Sequence, residues 1–195
     1  MSVIEERYLY VEETINGTEE DDIFYFFDVG SGFNNILGKG GDDLFYGLGL
    51  SPSLVNGGEG NDEFLFTSKS SNIVDPVERL TQIVELEIGE PVIIPFDRSP
   101  RLPVEEANTL GPSDPFGIGS ISLDGGSTIL AADTSGNSEW DIFFSLSEGG
   151  PTDTLSDSQL NFDVSADDSS VIITRKTTDN ASPTANNDTV ETQID

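Results

Sequence analysis

Gly38-Lys39-Gly40-Gly41-Asp42-Asp43-Leu44-Phe45-Tyr46 and Gly57-Gly58-Glu59-Gly60-Asn61-Asp62-Glu63-Phe64-Leu65 follow one nine-residue template, with glycine early, aspartate sixth and a bulky apolar residue eighth. Three more units share its register. They are VGSGFNNIL (29–37), GLGLSPSLVN (47–56, one residue longer) and GTEEDDIFY (17–25), the last set off by the insertion Phe26 to Asp28. The sixth place holds Asp22, Asn34, Asp43, a degenerate position near Ser51 and Pro52, and Asp62. The eighth holds Phe24, Ile36, Phe45, Leu54 and Phe64. Such a unit reads as a tight turn followed by a very short strand. Glycine supplies the turn and permits close approach of successive coils, and the eighth residue points inward onto its equivalents. Five buried side chains do not offset the entropy of ordering the whole repeat region. The simplest further source of stability is a hard cation held between turns by the sixth-place carboxylates and loop carbonyls.

Composition points the same way. The chain has 195 residues, with 37 acids against 8 bases and a formal net charge of −29. That charge repels phosphate backbones and acidic membrane surfaces, so nucleic acid is excluded as a partner. No apolar run is long enough for a membrane span. With neither Cys nor His, disulfides, thiolate or imidazole metal sites and His-dependent catalysis are excluded. Oxygen ligands for Ca²⁺ remain abundant. The opening MSVIEERYLYVEE carries no positive head and apolar stretch of a cleavable signal.

Beyond Phe66 glycine thins out and short Val-, Ile- and Phe-rich segments predict an all-β, sandwich-like region. Three hairpins are expected: Gln82 to Glu87 with Pro91 to Phe96, Gly119 to Leu123 with Ser127 to Ala132, and Leu160 to Ala166 with Val171 to Lys176. Trp140 to Leu146 adds a strand, Asp97 to Phe116 reads as a long irregular loop, and a weak helical turn falls around Pro76 to Leu80. The expected organisation is a repeat region over 1–66, an all-β domain over 67–178 and a polar tail over 179–195.

GGEGNDEFL is a complete match to the Gly-Gly-x-Gly-x-Asp-x-apolar-x nonapeptide, and the tandem array resembles that of RTX proteins, secreted bacterial proteins whose repeats form a calcium-binding parallel β-roll. The resemblance covers about 49 residues. It implies a short parallel β-roll, with Ca²⁺ as cofactor, ahead of the β-sandwich-like domain that the strand pattern predicts. It also implies an extracellular destination reached by signal-peptide-free, type I-like secretion. In such a roll each nonapeptide makes half a coil, so alternate units share an edge. Asp22, Asp43 and Asp62 then form a column, with Asp42 and Asn61 beside them. Ca²⁺ is expected on this edge only, above all between Asp43 and Asp62. Carbonyls of the 38–41 and 57–60 turns complete the shell, which makes Gly38, Gly40, Gly41, Gly57, Gly58 and Gly60 candidate ligands. Near the end, SPTANNDTV is similar to the junctions that introduce sandwich repeats in large RTX adhesins.

Two other readings compete. An enzyme would rest on paired carboxylates, for which Glu139 and Asp141 beside Trp140 are the candidates. A solvated strand edge explains them better, and neither Gly-x-Ser-x-Gly nor HExxH is present, so the expectation is non-enzymatic. Asp133, Ser135 and Asn137 alternate loosely like a calcium loop, but turn chemistry accounts for them. The serious rival is an adhesion or carbohydrate-binding module in the second region, with the roll as a calcium-stiffened spacer. It requires an exposed aromatic platform, from Trp140, Phe143 or Phe144, facing a glycan or cell-surface partner.

Overall fold

In the computed structural model the described residues are 2–5, 13–26, 34–50, 52–67, 80–106, 112, 115–122 and 127–177. The fold is all-β. In the repeat region the strands are β1 (Ser2–Glu5), β2 (Glu13–Asn16), β3 (Asp22–Tyr25), β4 (Asn34–Gly40), β5 (Leu44–Leu48), β6 (Ser53–Glu59) and β7 (Glu63–Phe66). They are followed by β8 (Thr81–Val84), β9 (Val92–Pro95), β10 (Arg101–Glu106), β11 (Gly117–Ser122), β12 (Thr128–Ala132), β13 (Ile142–Leu146), β14 (Leu160–Val164) and β15 (Ser170–Arg175). A 3₁₀ turn, Asp157–Gln159, precedes β14.

The strands form two sheets, in the orders β1-β3-β5-β7-β9-β15-β14 and β10-β11-β12-β13-β8-β6-β4-β2. From β1 to β9 the chain alternates between them, each strand lying parallel to the one two places on. Two strands and two turns thus make one coil. Period-two alternation drives this arrangement: β4 and β9 bury every second residue, which only a sheet covered on that face can satisfy. Phe24, Phe45 and Phe64 stack in register, with ring centroids 4.7 and 5.1 Å apart and nearly parallel planes. Val92 continues their row. On the facing sheet Ile36, Val55, Ile83 and Leu146 form the matching row.

The long unit contributes Val55 to that row instead of Leu54. Val55 pairs with Ile36 and is buried, whereas Leu54 is only half-buried. The extra residue of the unit therefore lies before the strand, and Ser53, aligned with Asn34, takes the sixth place.

Both sheets run past residue 66. β8 pairs with β6 and β9 with β7, and one hydrophobic cluster holds Phe24, Phe45 and Phe64 together with Ile94, Phe144 and Val171. The expected hairpin of 82–87 with 91–96 is consequently not formed: β8 and β9 lie in opposite sheets, as another half-coil each. The other two hairpins pair as β11–β12 and β14–β15. The segment expected as an irregular loop contains β10, which pairs in parallel with β11. Its Pro103 is tolerated because β10 is an edge strand. The helical turn expected near 76–80 lies almost wholly outside the described residues, as does the tail beyond 177. No helix among the described residues is long and apolar enough to cross a membrane.

Candidate metal centre

One edge of the coil carries the turns that lead into β3, β5, β7 and β9. Each delivers a carboxylate two residues ahead of a stacked apolar side chain: Asp22 before Phe24, Asp43 before Phe45, Asp62 before Phe64 and Glu90 before Val92. Residues i and i+2 of a strand share a face, so the position that buries the apolar residue also carries the carboxylate inward. All four are buried, none more than 4% exposed.

These groups form a ladder. The Asp22 amide donates to Asp43 Oδ1 at 2.8 Å, the Asp43 amide to Asp62 Oδ1 at 2.9 Å, and the Asp62 amide to Glu90 Oε1 at 3.4 Å. An exposed ladder runs alongside, with the Asp42 amide bonded to Asp21 Oδ1 and the Asn61 amide to Asp42 Oδ1. The hydrogen bonds from the Asn61 backbone and side chain hold the Asp42 carboxyl below its ordinary range.

The inner ladder leaves oxygens without partners. Asp43 Oδ2 and Asp62 Oδ2 are buried and accept no hydrogen bond. Each lies inside its own turn against a glycine. A Cβ on Gly38 would come within 2.3 Å of Asp43 Oδ2 and 2.0 Å of the Gly57 carbonyl oxygen, and one on Gly57 within 2.0 Å of Asp62 Oδ2. Glycine is therefore required at both places by the close approach of carboxylate and neighbouring coil.

Burial pushes the Asp43 carboxyl up to about 7; the Asp22 amide opposes the rise, and the charges of Asp62, Asp22 and Asp21 add to it. Burial likewise raises Glu90 to about 7, with the Glu87 amide opposing and the Asp62 charge adding. Asp62 is raised for the same leading reason. Among the described residues no Lys or Arg pairs with Asp43, Asp62 or Glu90, whereas Arg175 is paired with Glu148 at 2.5 Å.

The donor set fits a hard divalent cation. It is all oxygen, carries negative charge at Asp43, Asp62 and Glu90 that no base among the described residues pairs with, and includes two buried carboxylate oxygens that want a partner. Among the described residues no three acidic, His or Cys side chains gather into a cage, so a cation here would draw on paired carboxylates plus turn carbonyls.

The structure brings Asp22, Asp43 and Asp62 into the expected column. Gly38 stacks on Gly57, Gly41 on Gly60 and Gly58 on Lys39, while the closest neighbour of Gly40 is the Glu19 side chain. The opposite edge presents a neutral row, Asn34, Ser53 and Thr81. Glu90 was missed because it falls outside the nonapeptides. Its signal was a carboxylate two places before an apolar strand residue, just past the turn glycine Gly89, whose φ is +102°.

The remaining candidates are engaged in turn hydrogen bonds, although Asp141 Oδ1 is also buried without a partner. Asp141 Oδ2 accepts from the Thr134 and Ser135 amides at 2.8 Å each, and Asp133 accepts from the Gly136 and Ser138 amides. This is turn chemistry. Asp141 is buried while Glu139 is exposed, so the two do not face a common cleft as an acid and base pair would. Trp140, Phe143 and Phe144 are all buried, the first two in a small second cluster with Ile121, Ile129 and Ala131. The aromatic platform expected of them is not exposed, because sheet packing covers both faces of β13.

No protein-family model and no curated protein matches the chain.

Proposed function

We propose that this is a non-enzymatic, RTX-like calcium-binding protein of the extracellular space, in which Ca²⁺ bound between Gly- and Asp-rich turns orders a β-roll. The observation that carries the reading is the pair Asp43 Oδ2 and Asp62 Oδ2, buried and unpartnered on adjacent coils, with no Lys or Arg among the described residues paired to either carboxylate. Asp43 and Asp62 would hold the ion, with carbonyls of the 38–41 and 57–60 turns. Asp22 extends the column by one coil. Bound there, Ca²⁺ supplies positive charge that offsets the desolvation of the carboxylates. The chain's own residues do the rest. The phenylalanine stack fixes coil spacing, the glycines admit close approach, and the amide ladder orients one oxygen of each carboxylate.

Isothermal titration of the full chain with CaCl₂ tests this. The expected dissociation constant is on the order of 10⁻⁴ to 10⁻³ M, typical of extracellular modules. Asp62→Ala should lower stoichiometry and affinity; identical isotherms for parent and variant would refute the assignment.

A further inference from the structure

The ladder does not stop where the nonapeptides stop. Glu90 belongs to the turn between β8 and β9, a segment without the Gly-Gly-x-Gly-x-Asp pattern. Even so, its carboxylate occupies the same rung position as Asp22, Asp43 and Asp62, two residues ahead of the core row and 4% exposed.

We propose that the turns 57–62 and 85–90 form an additional Ca²⁺ site, held by Asp62 and Glu90, which joins the repeat region to the rest of the fold. The proposal rests on the calcium reading of the column above. Three observations support it. The Asp62 amide donates to Glu90 Oε1, which places the two carboxylates on adjacent coils. Asp62 Oδ2, on a fully buried residue, has no partner. Glu87 adds a third negative charge at the rim of the same turn, its amide bonded to Glu90 Oε2 at 2.7 Å. The charge of Glu87 acts on both Asp62 and Glu90.

Among the described residues no Lys or Arg is paired with Asp62, Glu87 or Glu90. Arg175 reaches the turn, but through Nη1 to the Leu86 carbonyl at 3.3 Å, and its other nitrogen is paired with Glu148. Asn56 ties the same two coils together, donating to Glu85 Oε2 at 2.9 Å. The two turns are thus held in fixed register around two buried carboxylates, with both Glu90 oxygens bonded to amides and Asp62 Oδ2 left without a partner, an arrangement whose charge a hard divalent ion offsets and a neutral side chain does not.

The site has a structural consequence. β9 pairs with β15 as well as β7, so an ion between Asp62 and Glu90 ties the repeats to the antiparallel strands that follow.

Calcium titration of the full chain, comparing the parent with Glu90→Gln and Asp43→Asn, tests the proposal. Glu90→Gln keeps an acceptor oxygen for the Asp62 amide but removes the charge, and its NH₂ group replaces the oxygen that accepts from the Glu87 amide, so the rung to Asp62 survives while the site and that one local bond do not. The expected result is one site fewer than the parent, with the remaining affinities unchanged and the far-UV circular dichroism of the calcium-loaded protein preserved. Glu90→Asp, one methylene shorter but still charged, guards against a folding artefact and should weaken that same site at least tenfold. Unchanged stoichiometry and affinity in both Glu90 variants, while Asp43→Asn loses binding, would overturn this inference and leave the calcium reading standing. A parent that takes up no Ca²⁺ would overturn both.

Discussion

The backbone amide of Asp43 donates to Oδ1 of Asp62 at 2.9 Å, while Oδ2 of that same Asp62 carboxylate is buried without a partner. One oxygen thus aligns the coils and the other is left without a hydrogen-bond donor. A carboxylate buried in this way is a liability to the ion-free fold, and the chain repeats it on successive coils.

Stability in chelator should fall as pH rises. Asp43 and Glu90 titrate near 7 in the fold, against about 3.9 and 4.3 unfolded. Between those values the native state binds more protons than the unfolded one, so ∂ΔG_unfold/∂pH is negative. Their contribution is complete below about pH 4 and is lost as pH passes through 7. Melting temperature in EDTA should be higher at pH 5 than at pH 8. General repulsion among the other acids acts in the same direction, so the informative quantity is the smaller slope of an Asp43→Asn, Glu90→Gln double variant. Equal slopes for variant and parent would contradict the assignment. Millimolar Ca²⁺ should restore stability at pH 8.

Lys39 stands at φ +83° where its register partner Gly58 has φ +101°. A left-handed conformation costs a non-glycine residue about 1–2 kcal/mol, and glycine gives back part of that gain through unfolded-state entropy. Lys39→Gly should therefore stabilise by about 0.5–1 kcal/mol in urea unfolding. Gly38→Ala should destabilise by about 3 kcal/mol, since its Cβ meets backbone that has no room to move.

The strand register of the long unit can be read from two truncations. Val55→Ala removes a fully buried side chain and should cost about 2 kcal/mol, with Leu54→Ala costing less than half as much. The reverse order would place Leu54 in the core.

Asp141→Ala should destabilise by about 3 kcal/mol, because the buried Thr134 amide and its neighbour at Ser135 lose a charged acceptor. Calcium stoichiometry should not change. A lost site would make the 133–141 loop a cation site.

Much of the column is legible in the sequence. Asp22, Asp43 and Asp62 recur at one place of a template, and the half-coil per unit that the RTX resemblance implies puts alternate units on one edge. The apolar rows were legible by the same alternation, except where the ten-residue unit slipped the count by one and exchanged Leu54 for Val55. Glu90 was invisible to the repeat because no glycine pattern announces its turn.

Local alternation of apolar and polar residues determined that these segments are strands and which side chains face inward, since those properties depend only on a period of two. Which strand lies beside which was settled only by tertiary structure. Gln82 to Glu87 and Pro91 to Phe96 carry every local mark of a hairpin, yet β8 and β9 separate into opposite sheets. Each there finds a row of buried neighbours, Val55 beside Ile83 and Phe64 beside Val92, that no short-range pairing could supply. Long-range burial outweighs turn preference in this fold, and the same choice places Glu90 beneath Asp62.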